Sequence, residues 1–337
     1  MGELGRHRGV WRTLGLSVAW LLLAAAAGLA LLYAVPELQL VHRLATLAAV
    51  FIPFGVLLWG AAVLLFLAAG RGWGKLLALV AVAGLVLAVL WARPYWPAGI
   101  GEDGPTGPDA GGGGGVVGTV MTFNARCDSA GADELQEAIL ARQPDLVVVQ
   151  GASTRLRESV DTGLADAYPH REFVYEMWGL PSCGTVVLSR LPLGEVPPRS
   201  FDQPVVGVDL GFGPVTLVPV DVPGPHDGLR PWREAIDGVV AAVDGARPDV
   251  PVLVAGDFNA VREHGPLRRL LGRFGLESAA EQAGAGWVPT YPADTWYPPV
   301  LAIDHVLVGP GLEAVGVETV RIGGYSHLAL VVEVRAR

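Results

Sequence analysis

The sequence predicts two parts of different fold class: an anchor of three apolar membrane helices, then a layered α/β domain. Three observations predict it. The 337 residues are 51% hydrophobic and only 17% charged, against roughly 25% charged in ordinary globular proteins. Long charge-free runs are confined to the stretch before Arg93. The formal charge is also divided, net +2 before Val116 and −11 from Val116 onward. A chain of this length holds about two domains, and the division says that they differ in kind.

Leu14–Val35 is 22 residues without a charge, Leu44–Gly70 is 27, and Leu76–Ala92 is 17. A helix needs about 20 apolar residues to cross the hydrocarbon core, with about 17 as the lower limit, so residues 1–96 read as a three-helix transmembrane anchor. The first run is too long for the apolar core of a cleaved signal peptide, and two more follow it. Pro53 falls inside the second run and predicts a kink there. Arg6, Arg8 and Arg12 precede the first run, and Arg71 and Lys75 lie between the second and third, whereas the other two flanks offer only Arg43 and Arg93. That bias puts the N-terminus on the cytoplasmic side of a cell membrane and everything after Arg93 outside it. Trp73, Trp91, Tyr95 and Trp96 lie where interfacial aromatic anchors belong.

Residues 97–115 include Glu102-Asp103-Gly104-Pro105 and the five glycines Gly111–Gly115. Such a composition cannot bury a core and predicts a flexible tether. From residue 116 to 337, short apolar runs alternate with helical, polar ones, the pattern of an α/β or α+β layered domain. Strands are expected at Val117–Phe123, Leu146–Gln150, Gly184–Ser189, Val205–Leu210, Pro214–Asp221, Val252–Gly256, Leu301–Val308 and His327–Val334. Helices are expected at Ala132–Arg142, with Leu135, Ile139 and Leu140 on its inner face, and at Pro231–Asp244 and Leu267–Phe274. The acidic balance excludes a non-specific nucleic-acid binder, because phosphate-backbone binding needs a basic footprint. Two cysteines exclude a disulfide-rich scaffold and a four-cysteine zinc module; Cys127 and Cys183, both in the outer part, form either a disulfide or two buried thiols.

Polar residues gather at strand ends. Asp257 and Asn259 follow an apolar β run, and on an extended chain residues i and i+2 point the same way, with Phe258 packing behind them. Asp304 lies in another β run, and His327 follows the Gly323-Gly324 turn. A carboxylate beside an amide, plus a histidine that a second carboxylate orients, suits attack of water on a phosphoester.

The order of Thr122-Phe123-Asn124, Pro144–Gln150, Leu188-Ser189-Arg190, Gly256-Asp257-Phe258-Asn259-Ala260, Ile303-Asp304-His305 and Ser326-His327-Leu328 resembles the endonuclease/exonuclease/phosphatase superfamily over nearly all of residues 116–337. The Gly-Asp-Phe-Asn-Ala string is the most specific piece. Three membrane helices ahead of such a domain also resemble the membrane proteins linked to teicoplanin resistance. The resemblance implies a four-layer sandwich of two β-sheets flanked by helices, and a phosphoric ester hydrolase. It assigns Asn124 to holding phosphate or metal, Asp257 to positioning the attacking water and Asn259 to the phosphoryl oxygens. His327 becomes the histidine beside the scissile phosphate, and Asp304 its orienting partner.

It also implies a divalent metal such as Mg²⁺, and here the chain departs from the pattern. Gly151 stands where a metal-binding Glu is expected and Ser326 where a metal-associated Asp is expected. Gly has no ligand atom, and a hydroxyl is a poor substitute for a carboxylate toward a hard cation. Asp221 stands near the place of a further family histidine, as a candidate replacement acid or ligand. Arg126 is a candidate to place a guanidinium where a metal would sit. Two functions follow as expectations: an outward-facing phosphoesterase acting on phosphorylated, lipid-linked or small substrates at the bilayer, or a phosphate-binding module of the same fold without turnover.

Overall fold

The computed structural model describes residues 2–97, 115–127, 131–175, 183–194 and 205–337. All of the tether expected over 97–115 except its two end residues lies outside them. The chain divides into two compact units, Met1–Pro94 with Glu263–Gly265, and Tyr95–Arg262 with Pro266–Arg337.

The first unit contains α1 (Gly2–Ala34), α2 (Arg43–Ala49), α3 (Gly55–Ala69) and α4 (Trp73–Trp91). Among the described residues, three helical segments are long and apolar enough to cross a membrane: Val10–Ala34, Ile52–Ala69 and Trp73–Trp91. The second differs from the single kinked helix expected over Leu44–Gly70. Pro53 has no N–H to donate, and its ring clashes with the carbonyl four residues earlier. The helix therefore stops at Ala49, and a 3₁₀ turn over Ile52–Phe54 opens the span. Pro53 starts this segment rather than bending it. Small residues let the helices approach: Ala19, Ala26, Ala62, Ala78 and Ala81 are buried beside Trp59 and Phe66. A side chain added at Gly84 would come within 2.5 Å of the Trp59 ring. Leu21, Leu57, Leu64 and Leu79 point outward and exposed, an apolar surface that water does not satisfy.

The second unit runs β1 (Gly118–Asn124), α5 (Ala132–Arg142), β2 (Leu146–Ser153), α6 (Thr154–Gly163), β3 (His170–Tyr175), β4 (Cys183–Ser189), β5 (Leu193–Gly194), β6 (Val206–Asp209), β7 (Pro214–Asp221), α7 (Leu229–Asp244), β8 (Val252–Asp257), α8 (Gly265–Phe274), β9 (Glu277–Ser278), α9 (Ala279–Gln282), β10 (Asp304–Val308), β11 (Leu312–Arg321) and β12 (Leu328–Ala336). Its strands form two six-stranded sheets, ordered β11-β12-β1-β2-β4-β3 and β5-β6-β7-β8-β10-β9. Each sheet has a parallel pair at its centre, β1 with β2 and β7 with β8, flanked by antiparallel neighbours.

Alternation along the strands sets the layers. Val120, Leu146, Val148 and Val332 of the first sheet pack against Leu217, Leu253, Ala255 and Val306 of the second. The opposite face of the first sheet, with Met121, Phe123, Val147 and Val149, is covered by Leu135 and Ile139 of α5 and by Leu156 and Val160 of α6. On the far side α7 packs on β7, with Trp232, Ile236 and Val239 buried. Helix, sheet, sheet and helix make the expected four-layer sandwich.

Several boundaries move. Leu140 is exposed, because it stands about 140° around the helix from Leu135. The strand expected from Leu301 begins at Asp304, with Leu301 making only an isolated bridge to Tyr291. The last strand begins at Leu328, so His327 is the residue that leads into it.

Candidate active site

Strand direction explains why distant residues meet. Parallel neighbours end at the same edge, and an antiparallel neighbour begins there. Asn124 ends β1, Asp221 and Asp257 end the parallel pair β7 and β8 opposite one another, and Asp304 opens β10 opposite Asp257. His327 precedes β12, which runs antiparallel to β1. One rim of the sandwich thus receives side chains from both sheets.

Asn124, Asp257, Asn259, Asp304 and His327 converge on that rim. His327 Nδ1 lies 2.9 Å from Asp304 Oδ2, and its Nε2 lies 3.9 Å from Asp257 Oδ2. Asn124 Nδ2 donates to Asp257 Oδ2 at 2.8 Å. Asn259 closes a turn on Asp257: its backbone N–H donates to Oδ1 at 2.7 Å and its Nδ2 to Oδ2 at 3.1 Å. That geometry corrects the extended-chain expectation. Asn259 has a φ of 45°, so a left-handed residue, common for Asn, brings the pair together. The second Nδ2 hydrogen goes to the Val222 carbonyl at 2.8 Å. With both amide hydrogens donated to the protein, Asn259 positions Asp257 and has no donor left for a phosphoryl oxygen. Phe258 is fully buried behind it, as expected.

Asp257, Asp304 and His327 are 0%, 2% and 3% exposed, and burial and neighbouring charges together shift Asp257 and His327. Burial, then the charge of Asp304, pushes the Asp257 carboxyl up to about 7, against the pull of His327 and of hydrogen bonds from Asn259 and Asn124. For His327 burial is the largest single influence and disfavours the cation, but the adjacent Asp304 and Asp257 outweigh it and raise the imidazole to about 9. At neutral pH His327 is an imidazolium between two carboxyl groups. Asp304 Oδ1 is buried without a hydrogen-bond partner among the described residues. His305 is structural: burial lowers its pKa, its Nε2 meets the Ala260 carbonyl at 2.8 Å, and its ring stands edge-on to Phe258.

Arg126 belongs to the same rim. Its backbone N–H donates to Asn124 Oδ1 at 2.7 Å, and its Nη1 donates to Ser326 Oγ at 3.4 Å. Gly151 has a φ of 56°, and a Cβ there would lie 2.8 Å from Arg126 N and 2.9 Å from Cys127 N. The Cys127 N–H donates to the Gly151 carbonyl at 2.7 Å, and Cys127 is disulfide-bonded to Cys183. Asp221 stands opposite Asp257. It is half-buried at the end of β7, and its carboxylate accepts from the Gly151 N–H at 3.1 Å. Sequence reasoning missed Tyr291, whose ring is tilted over His327 with centroids 4.9 Å apart, and Thr290, whose Oγ1 faces the Asp304 N–H at 3.4 Å. Neither carries a motif, and the turn that places them shows no periodicity.

The donors do not fit a divalent cation held at the 151/326 position. That place offers a glycine, a hydroxyl and a guanidinium, and its one nearby carboxylate, Asp221, already accepts from the Gly151 N–H; a single carboxylate beside a guanidinium is a poor donor set for a hard cation. Asp257, Asp304 and His327 do present possible ligand atoms within 4.8 Å of one another. A cation there would have to displace the His327 proton and share Asp257 with the three hydrogen bonds it already accepts.

The family model described as Endonuclease/Exonuclease/phosphatase family matches residues 121–326. Among solved structures, the endonuclease/exonuclease/phosphatase from Beutenbergia cavernae DSM 12333 is 23% identical with a TM-score of 0.50, covering 65% of this chain and 72% of that one. The endonuclease/exonuclease/phosphatase from Bacteroides vulgatus is 16% identical with a TM-score of 0.54, over 66% of this chain and 99% of that one. Truncated Caenorhabditis elegans TDP2 is 16% identical with a TM-score of 0.51, over 65% and 98%. At these identities the likeness is one of fold. No curated protein matches the chain.

Proposed function

The chain belongs to the Endonuclease/Exonuclease/phosphatase family, and on that premise we propose that it is a membrane-anchored, outward-facing phosphoesterase. The observation that carries the reading is the buried His327–Asp304 pair beside Asp257, at 2.9 and 3.9 Å. A buried imidazolium with a free Nε2–H is a preorganised donor for a phosphoryl oxygen, and a neighbouring carboxyl titrating near neutrality is suited to general-base work. Water attacks phosphorus, its oxygen forming the new bond as the bond to the leaving oxygen breaks. The proton of the water passes to Asp257. His327 and Asp257 are too close to flank phosphorus from opposite sides, so His327 stabilises the transferring oxygens and the leaving oxygen takes its proton from solvent. Asn124 donates its second amide hydrogen to the phosphoryl group, and Asn259 fixes Asp257.

The excess of Arg and Lys before the first apolar helix and between the last two supports an outward-facing domain, as does the Cys127–Cys183 disulfide, which persists in oxidising surroundings. A substrate at the bilayer, lipid-linked and phosphorylated, is supported by the segment that carries Tyr291. On the same turn Trp296 is 96% exposed and Tyr297 stands edge-on to it, and exposed aromatics favour the membrane interface. Nucleic acid is disfavoured by the acidic balance.

The test is a phosphoester panel, soluble and lipid-borne, with the full chain in nanodiscs. His327→Ala is expected to lower turnover by roughly 10²–10³, and absence of hydrolysis across the panel refutes catalysis. The second reading, a phosphate-binding module without turnover, is favoured by Gly151 and Ser326. It predicts phosphate binding with no product formed.

A further inference from the structure

We infer that the Arg126 guanidinium, and not a divalent cation, neutralises the phosphoryl group at this site, which makes phosphate recognition independent of metal. The inference rests on the phosphoryl-site reading above and adds the identity of the cation.

Its first support is position. Arg126 Nη1 reaches Ser326 Oγ at 3.4 Å, and Ser326 adjoins His327. The guanidinium therefore stands beside the imidazolium, close enough for its charge to act on His327.

The second support is that the position is built. Arg126 and Cys127 are consecutive left-handed residues, with φ of 49° and 60°, a conformation that costs non-glycine residues free energy and persists only when neighbours hold it. Here they do. Asn124 Oδ1 accepts the Arg126 N–H, the Gly151 carbonyl accepts the Cys127 N–H, and the disulfide to Cys183 ties the turn to β4.

The third support is exclusion. The same turn occupies the space that any side chain at 151 would enter, as the 2.8 Å and 2.9 Å approaches of an added Cβ to the turn's backbone show. A side chain at 151 and the backbone of the Arg126–Cys127 turn are alternatives in one volume, so a metal-binding carboxylate there would require the turn that carries Arg126 to move. Electrostatics agrees in sign. Two buried carboxyl groups face one imidazolium, so an arriving phosphoryl anion needs a further positive charge, and a guanidinium binds phosphate through paired, planar donors.

The experiment measures inorganic phosphate and orthovanadate binding to the full chain in nanodiscs by calorimetry, in EDTA and in Mg²⁺. Affinity is expected to be the same in both conditions. Arg126→Ala is expected to weaken it roughly tenfold or more, with partial retention in Arg126→Lys. Arg126 is exposed, so an unchanged melting temperature will show that these variants fold. Binding that requires Mg²⁺ and ignores Arg126→Ala overturns the inference while leaving the phosphoryl site standing. Absence of binding under both conditions overturns the two together.

Discussion

His327 and Asp304 are joined across the two sheets. His327 leads into β12 of the first sheet, Asp304 opens β10 of the second, and 2.9 Å separates Nδ1 from Oδ2. The pair forms only when the sandwich has closed, so its protonation reports on both chemistry and folding.

The first prediction is a bell-shaped pH–rate profile. Turnover needs Asp257 ionised and His327 protonated, and their pKa values lie near 7 and 9. Activity is expected to rise through the lower value and fall through the upper one. Both belong to the interacting pair and not to either residue alone. Initial rates from pH 5 to 10 check this; a profile that climbs steadily past pH 9 would remove the imidazolium from the mechanism.

Stability is expected to move with the same protons. His327 has a folded pKa raised above its ordinary 6.5, so its contribution is complete below 6.5 and is lost as pH rises through about 9. Asp257 is also raised, from 3.8 to about 7, so its protonated form adds stability that is lost as pH climbs through that window. Both slopes have one sign. Raising the pH from 6 to 9.5 is therefore expected to lower the stability of the fold. Thermal melts followed by near-ultraviolet circular dichroism measure it, and a melting temperature that climbs over this range contradicts the assignment.

A third prediction concerns restoring the family's carboxylates. The double variant Gly151→Glu with Ser326→Asp supplies two metal-ligand types, yet residue 151 is left-handed and its Cβ meets the Arg126–Cys127 backbone. Backbone strain of this kind costs about 1–3 kcal/mol before the clash is counted. The double variant is expected to melt lower than the parent and to gain no Mg²⁺-stimulated activity. Tight Mg²⁺ binding with an unchanged melting temperature would mean that the turn yields easily.

Much of the fold was legible because its elements obey one period each. Ala132–Arg142 and Pro214–Asp221 were read to the residue from helical and β patterning. The helix α6 was missed because Thr154–Gly163 buries only Leu156 and Val160, although its Ser153 cap, accepting from the Leu156 N–H at 3.1 Å, was a usable signal. The strand β11 was missed because Gly316 sits at a bulge that breaks its alternation. The five residues of the rim were legible through motif strings. Their bonding was not, since the left-handed turn of Asn259 and the Arg126–Ser326 approach across 200 positions leave no local pattern.

The last prediction separates lipid-borne from soluble substrates. The Tyr291–Leu301 segment contacts His327 at one end through the Tyr291 ring and exposes Trp296 almost completely in its middle. Leaving a tryptophan in water forgoes a large hydrophobic gain, and a bilayer next to the domain would recover part of it. Trp296→Ala removes that gain without touching the rim. Turnover of a phospholipid-linked substrate in vesicles is therefore expected to fall roughly three- to tenfold, the effect of about 1 kcal/mol of lost interfacial binding. Turnover of a soluble phosphomonoester by the same protein is expected to stay unchanged. Equal loss on both would mean that Trp296 supports the Tyr291 turn structurally, and no loss on either would separate this segment from the membrane.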